Sequence, residues 1–93
     1  MQKLTESISK YLLAVVSPLI KNPDKAELRV AANEEERILR LRLVLESVDI
    51  ARIIGRNGMT ASAIRSLAKA AGDKANAKVI VHILSREELE EAS

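Results

Sequence analysis

The chain of 93 residues has no cysteine, no tryptophan and no phenylalanine, and it has one tyrosine and one histidine. Without cysteine it can form neither a disulfide scaffold nor an iron–sulfur or cysteine-ligated zinc site, and it has no thiol nucleophile. The single histidine, His82, cannot supply a two-histidine metal motif. The near-absence of aromatic residues disfavours nucleic-acid modules that stack bases on phenylalanine or tyrosine. We therefore expect no enzyme, no metal site and no cofactor.

Apolar residues nonetheless make up 47% of the chain, so its core must be aliphatic. A chain of this length is expected to fold as one domain. Charged residues, among them Lys3, Glu6 and Lys10, interrupt the apolar N-terminal segment. We therefore expect neither a signal peptide nor a membrane span, and a cytoplasmic location.

The positive charge is concentrated in one part of the chain. Residues 1–49 carry eight basic and eight acidic side chains, whereas residues 50–84 carry six basic and one acidic. Residues 85–93 carry one basic and four acidic side chains, and they are expected to form a tail or a frayed helical turn. The net charges of the three segments are therefore 0, +5 and −3, and the positive charge lies in the segment 50–84.

The first half of the chain changes its hydrophobic period once. Apolar residues with helical spacing predict a helix over residues 8–20, ended by Asn22-Pro23. Pro18 lies inside this pattern and is expected to kink the helix without breaking it. Alternating apolar residues then predict two strands, starting at residues 26 and 37, which a short connection joins into an antiparallel hairpin.

The second half predicts two helices and a strand. A short helix begins near Ser47, with Asp49 in its first turn, and a turn at residues 55–58 leads into a longer helix with Gly72 as its C-terminal cap. A third strand is predicted over residues 78–84. The order helix, strand, strand, helix, helix, strand indicates the α+β class.

Some basic residues have more than one interpretation. Arg40 and Arg42 share one face of the second strand, where pairing with Glu27 or exposure to solvent accounts for them and an extended RNA surface is the alternative. Lys69 lies four residues after Arg65 and is expected to face solvent, with a phosphate track that continues from Arg65 as the alternative. His82 is expected to be an ordinary hydrogen-bonded or edge-exposed residue. No function is assigned to these side chains.

The turn Gly55-Arg56-Asn57-Gly58 is the most informative motif. Its glycines permit left-handed dihedrals and a close approach to the backbone. The helix that follows directs unpaired N–H groups and the positive end of its dipole toward the turn, which suits a phosphate. Arg56 adds charge at the tip, and Arg52 and Arg65 can flank it. A purely structural helix–helix turn is the alternative, and no Walker A sequence is present.

The surroundings of this turn give it a family resemblance. The sequence Ile53-Ile54-Gly55-Arg56-Asn57-Gly58, set between a short apolar helix and an alanine-rich helix and followed by a Val/Ile strand, resembles the KH domain. The segments Asn22-Pro23-Asp24 and Asp49-Ile50-Ala51-Arg52-Ile53-Ile54-Gly55 look like the small bacterial single-KH RNA-binding proteins of the KhpA (YlqC) family.

This resemblance implies a single type II KH domain (αββααβ) over residues 1–84, followed by the acidic tail 85–93. Its three-stranded sheet would be packed on one face by three helices. It also implies a non-enzymatic protein that binds single-stranded RNA, as a post-transcriptional regulator or RNA chaperone. The implied partners are a second copy of the chain or a KhpB-type KH protein, and neither a membrane nor a cofactor is involved.

The resemblance also implies that the turn holds the sugar–phosphate backbone and that neighbouring aliphatic residues line a groove for the bases. The predicted RNA-binding residues are Arg52, Ile53, Ile54, Gly55, Arg56, Asn57, Gly58, Met59, Thr60 and Arg65. Met59 departs from the family pattern, which often has a basic residue there. The alternative function is a protein–protein adaptor or dimerisation module in which the glycine turn is only structural.

Overall fold

The computed structural model describes residues 1–92, apart from the side chains of Arg56 and Ala92. In chain order the elements are α1 (Gln2–Val16), β1 (Glu27–Asn33), β2 (Ile38–Leu45), α2 (Ser47–Ile54), α3 (Met59–Lys74), β3 (Lys78–Ser85) and α4 (Arg86–Ala92). Short 3-10 turns lie at Ser17–Leu19, Pro23–Lys25 and Arg56–Gly58. The predicted order αββααβ is confirmed, and α4 follows it.

The strands form one mixed sheet in the order β1-β2-β3. β1 and β2 are antiparallel, with Val30 opposite Leu41, whereas β2 and β3 run parallel, with Leu41 opposite Val81. A parallel pair needs a long crossover, and α2 and α3 supply it. The three-stranded sheet agrees with the type II arrangement that the family resemblance implied, and the structure adds the parallel pairing of β2 with β3.

The hydrophobic core lies between one face of the sheet and the helices. Leu39, Leu41 and Leu43 are fully buried because alternate residues of β2 point toward the helices. The residues that pack against them are also aliphatic: Ile8, Leu12, Val16, Ile20, Leu45, Ile53, Ile64, Ala68, Val79 and Val81. The fully buried core is aliphatic, as the composition predicted, and Tyr11 packs against it as a partly buried residue.

The first helix ends earlier than its apolar pattern predicted. α1 stops at Val16, and the chain continues as the 3-10 turn Ser17–Leu19. The prediction of one kinked helix through residue 20 is therefore wrong, because Pro18 lacks the N–H that would extend the α-helical hydrogen bonds. Ile20 still reaches the core and is 8% exposed.

Gly72 lies inside α3 and does not cap it. The helix continues to Lys74, and Asn76 adopts a positive φ of 56° just beyond it. A Cβ at Gly72 would lie 2.5 Å from Val79 Cγ2 and 2.7 Å from the Ala77 carbonyl oxygen. The predicted cap is wrong, since the glycine is required by the close approach of α3 to the start of β3.

The acidic C-terminal segment forms the helix α4. Ser85 Oγ accepts a hydrogen bond from the Glu88 N–H at 3.0 Å, and Glu88 Oε1 accepts one from the Ser85 N–H at 3.2 Å. This reciprocal pair is a capping box, which fixes the start of the helix. The boundary after residue 84 stays a prediction, and Ser93 lies outside the described residues. Within residues 1–92, no helix combines the length and apolar character that crossing a membrane requires.

Candidate nucleic-acid interface

A buried carboxylate holds α2 in place. Asp49 is fully buried, and its oxygens accept hydrogen bonds from the Lys21 N–H at 2.9 Å, the Asn22 N–H at 3.0 Å and Asn22 Nδ2 at 3.3 Å. These bonds tie the segment after α1 to α2 and so position the chain that leads into Gly55. The sequence placed Asp49 in the helix but did not show this role, because its partners lie 27 and 28 residues away.

Asp49 should make the stability of the protein depend on pH. Burial raises the pKa of its carboxyl, but the hydrogen bonds from Lys21 and Asn22 and the charge of Arg52 outweigh burial, so the pKa lies below its ordinary value. Such a group stabilises the fold above its ordinary pKa, and that stabilisation is lost as the pH falls through the folded-state pKa. We expect the free energy of unfolding to fall below about pH 4, where unfolded aspartate binds its proton.

Urea unfolding of the wild type and of Asp49→Asn between pH 6 and pH 3 measures this effect, and the variant should show the weaker pH dependence. Glu27→Gln is the matched control. A hydrogen bond from Arg29, reinforced by its charge, lowers the pKa of Glu27, but both side chains are exposed. Glu27→Gln should reduce the pH dependence of the free energy of unfolding less than Asp49→Asn does. Equal pH profiles for the wild type and Asp49→Asn would contradict this account of Asp49.

The turn between α2 and α3 is built on residues with positive φ. Gly55 has φ 66° and ψ −165°, Asn57 has φ 58° and ψ 27°, and Gly58 has φ 73° and ψ 12°. Asparagine is one of the few residues with a Cβ that visits this region readily. The chain can therefore reverse between the two helices within residues 55–58.

The N-terminus of α3 opens onto this turn. In the part of the chain that the structure describes, no side chain caps α3, and its first turn contains no acidic residue. In this described part, the first N–H groups of the helix therefore lack a side-chain acceptor, and the positive end of the helix dipole lies beside them. A Cβ at Gly58 would meet no atom within 4 Å, so a ligand can approach the backbone there. This geometry suits a phosphate.

Of the two isoleucines before the turn, one is exposed and the other is buried. Ile54 is 43% exposed, whereas Ile53 is completely buried in the core. The expectation that Ile53 lines a surface groove is corrected by this placement, because α2 directs that side chain inward and only Ile54 outward. Met59 is 67% exposed at the start of α3, and Thr60 is partly buried next to Gly55.

The polar residues predicted around the turn do not all lie at the turn itself but extend from α2 along α3. Arg52 is exposed in the last turn of α2, and Asn57 is exposed at the tip of the turn. The side chain of Arg56 lies outside the described part of the structure. Arg65 follows about 10 Å along α3 from Gly58, and its Nε donates a hydrogen bond of 3.3 Å to the Val81 carbonyl oxygen.

Arg65 borders a groove along the free edge of β3. In the described sheet β3 has a strand neighbour on one side only, so its other edge has no strand partner. α3 runs beside this edge. The groove between them has a volume of about 610 Å³ and is lined by Arg65, Lys69, Asp73, Asn76, Ala77, Lys78 and residues 79–81.

Two further basic residues line this groove: Lys69, for which the sequence favoured solvent over a phosphate track, and Lys78, which the sequence did not single out. Lys69 forms an exposed ion pair of 3.7 Å with Asp73 one turn further along α3. The available signal was the four-residue spacing of Arg65, Lys69 and Asp73, which places them on one face of a helix. This face of α3 lies next to the free edge of β3. Only the strand order shows this, because residue spacing does not reveal which strand lies at the edge of a sheet.

The remaining ionisable residues form no evident metal site. Within residues 1–92, no group of three histidine, aspartate or glutamate side chains could hold a metal ion. His82 is exposed in β3, opposite Arg42 of β2. The described site therefore consists of backbone amides, basic side chains and aliphatic surface.

Comparison with known proteins places the chain in a family. The family model described as "KhpA/KhpB, KH domain" matches residues 9–83. The RNA-binding protein KhpA of Bacillus subtilis is 34% identical over 74 residues, which are 80% of this chain and 89% of that protein. The RNA-binding protein KhpA of Clostridium perfringens is 36% identical over 84 residues, which are 90% of this chain and 100% of that protein. Together with the mixed sheet and the glycine turn, these matches show that the chain belongs to the KhpA/KhpB family of KH-domain proteins.

Proposed function

We propose that this protein binds single-stranded RNA, with the sugar–phosphate backbone at residues 55–58 and the bases in the groove between α3 and β3. The observation that carries this proposal is the uncapped N-terminus of α3, which faces a turn that a phosphate can approach. Membership of the KH family and the RNA-binding relatives favour RNA as the ligand. A KH turn clamps about four nucleotides.

The surface around the turn offers several modes of contact for such a ligand. Ile54 and Met59 present exposed aliphatic surface beside the turn, where an unstacked base can lie. Arg65 and Lys78 bring positive charge to the groove along β3. Binding in this mode needs neither catalysis nor a cofactor, so the proposed function is not that of an enzyme.

We extend the proposal to the assembly and role of the protein. Four nucleotides offer few phosphates, so one KH domain alone should bind RNA modestly. A second KH unit on the same RNA raises the overall affinity through effective concentration. The protein accordingly acts as a homodimer or with a KhpB-type partner, as a post-transcriptional regulator or RNA chaperone.

A second candidate function is a protein–protein adaptor in which the turn is only structural. An apolar groove of about 330 Å³ between α1 and α3 favours it. The groove is lined by Leu4, Ser7, Ile8, Tyr11, Leu67, Ala68 and Ala71. Leu67 is 57% exposed at this groove, so the groove presents apolar surface that a second protein could cover.

Ultraviolet crosslinking in cells, followed by trypsin digestion and mass spectrometry, tests the RNA proposal. Cleavage after Arg56 and Arg65 releases peptide 57–65, which contains most of the turn and the start of α3. We expect this peptide to carry crosslinked nucleotides, because it lies where the RNA backbone is proposed to bind.

The internal control is peptide 11–21, which contains the photoreactive Tyr11 but lies on α1 and the segment after it. It should carry no nucleotide. The mass of the purified 10.2 kDa chain in solution is measured alongside. A dimer whose peptide 57–65 carries no nucleotide would support the adaptor and contradict the RNA proposal.

A further inference from the structure

The face of the sheet turned away from the core carries three arginines and a histidine, with one acidic residue, Glu27, at the start of β1. The strand register places Arg42 opposite Arg29 on one side and His82 on the other, and it places Arg40 opposite Ile80. Arg29, Arg40, Arg42 and His82 are all exposed. We call the surface formed by Arg29, Arg40, Arg42, Ile80 and His82 the outer face.

Among the described residues, Arg40 and Arg42 of the outer face have no ion-pair partner. The possible pairing of Glu27 with Arg40 or Arg42 is not found, because the Glu27 carboxylate pairs with Arg29 at 2.6 Å. In the part of the chain that the structure describes, the ion pairs include neither Arg40 nor Arg42. Like charges directly opposite each other weaken strand pairing. Arg42 opposite Arg29 therefore adds no favourable charge pairing across these two strands.

The outer face continues into the proposed RNA site around the free edge of β3. Arg42 and His82 line a cavity of about 300 Å³ together with Arg65, Ile83, Leu84, Glu88 and Leu89. Arg65 also lines the groove between α3 and β3. An RNA strand that leaves this groove at Arg65 can therefore reach Arg42 by crossing the edge of β3.

We propose that the outer face is a second RNA contact, which binds the nucleotides that continue beyond those held at the turn. This inference rests on the proposed function. Guanidinium groups bind phosphates in a two-pronged geometry, and their planes also stack on unpaired bases. Because the chain lacks phenylalanine and tryptophan, Arg40 and Arg42 supply flat groups on this face. An acidic protein segment would also match the charge and the two-pronged geometry, but its carboxylates offer no base to stack on the guanidinium planes.

The test compares short and long RNA. Fluorescence anisotropy measures the binding of random-sequence RNA pools of 4 and 12 nucleotides to the wild type and to R40Q/R42Q over a range of salt concentrations. We expect the variant to bind the 12-mer about tenfold more weakly. Its salt slope should be shallower by about 1.4, because two phosphate contacts are lost. The affinity for the 4-mer should not change.

Two further variants make the result specific. K3Q/K10Q removes the same charge from exposed positions of α1 and should bind both RNAs as the wild type does. R40K/R42K keeps the charge but removes the guanidinium planes, so it should keep the salt slope and lose part of the affinity for the 12-mer. Circular dichroism confirms that every variant is folded before binding is measured.

The outcomes separate the two proposals. If the folded wild type binds neither RNA, the proposed function fails. If R40Q/R42Q binds the 12-mer as the wild type does, or loses both RNAs equally, the second contact fails while the role of the turn stands. Weaker binding of polyglutamate by R40Q/R42Q, with unchanged RNA binding, would assign the outer face to an acidic protein and overturn the inference.

Discussion

Replacing Arg56 and Asn57 together by aspartate is expected to abolish RNA binding and leave the protein folded. The two carboxylates would stand at the tip of the turn, beside the amide groups that the phosphate is proposed to occupy. Like charges brought together at an interface cost several kcal/mol, which corresponds to at least about a hundredfold loss of affinity. Anisotropy with the 4-nucleotide RNA pool measures this loss.

The stability of this variant should not fall. Position 57 has φ 58°, and aspartate visits this region almost as readily as asparagine. The new carboxylates also lie near the N-terminus of α3, where negative charge interacts favourably with the helix dipole. A thermal unfolding curve with an unchanged or slightly higher midpoint would therefore accompany the loss of RNA binding.

Q2E/K10E is the matched control, because it changes the net charge by the same amount at exposed positions of α1. It should keep most of the RNA affinity. An equal loss in both variants would indicate a general effect of net charge. Undiminished RNA binding by folded R56D/N57D would remove residues 55–58 from the site.

The element order could be predicted because each segment has its own hydrophobic period. Leu39, Leu41 and Leu43 alternate with polar neighbours and are indeed the buried face of β2. The turn at residues 55–58 was visible because glycine at both ends is a local requirement of the backbone, independent of distant contacts. These features depend on neighbours in the sequence, which is why the residues alone could indicate them.

Other features depend on contacts that sequence spacing does not show. Ile53 and Ile54 are adjacent and equally apolar, and only the orientation of α2 decides that Ile53 is buried. The hydrogen bonds of Asp49 to Lys21 and Asn22 hold that helix in place. Gly72 was misread as a cap for the same reason, because its close neighbour Val79 belongs to the next strand.

The charged surfaces were predictable only in part. The count of basic residues located the positive charge in the segment 50–84, but it could not separate the groove beside β3 from the rest of that segment. The outer face lies largely on β1 and β2, where the balance of charges suggested no partner. Strand register brings Arg29 and Arg42 together and so creates a basic surface from a segment of zero net charge.

The two glycines of the turn should respond very differently to alanine. A Cβ at Gly55 would lie 2.5 Å from Thr60 Oγ1, and the backbone there has φ 66° and ψ −165°. Backbone strain and overpacking together should cost about 3 kcal/mol. In thermal unfolding, Gly55→Ala should therefore lower the Tm by about 15 °C.

Gly58→Ala should cost only about 1 kcal/mol, because its φ of 73° is left-handed but no atom lies within 4 Å of the added methyl group. That methyl group would instead occupy the space through which a phosphate approaches the backbone, so RNA affinity should fall in a protein that stays folded. Adding Thr60→Ala to Gly55→Ala removes the closest contact and should restore part of the lost Tm, while the backbone strain remains. Equal losses of Tm for Gly55→Ala and Gly58→Ala would contradict this account. The free space around each glycine would then not determine how much an added side chain destabilises the protein.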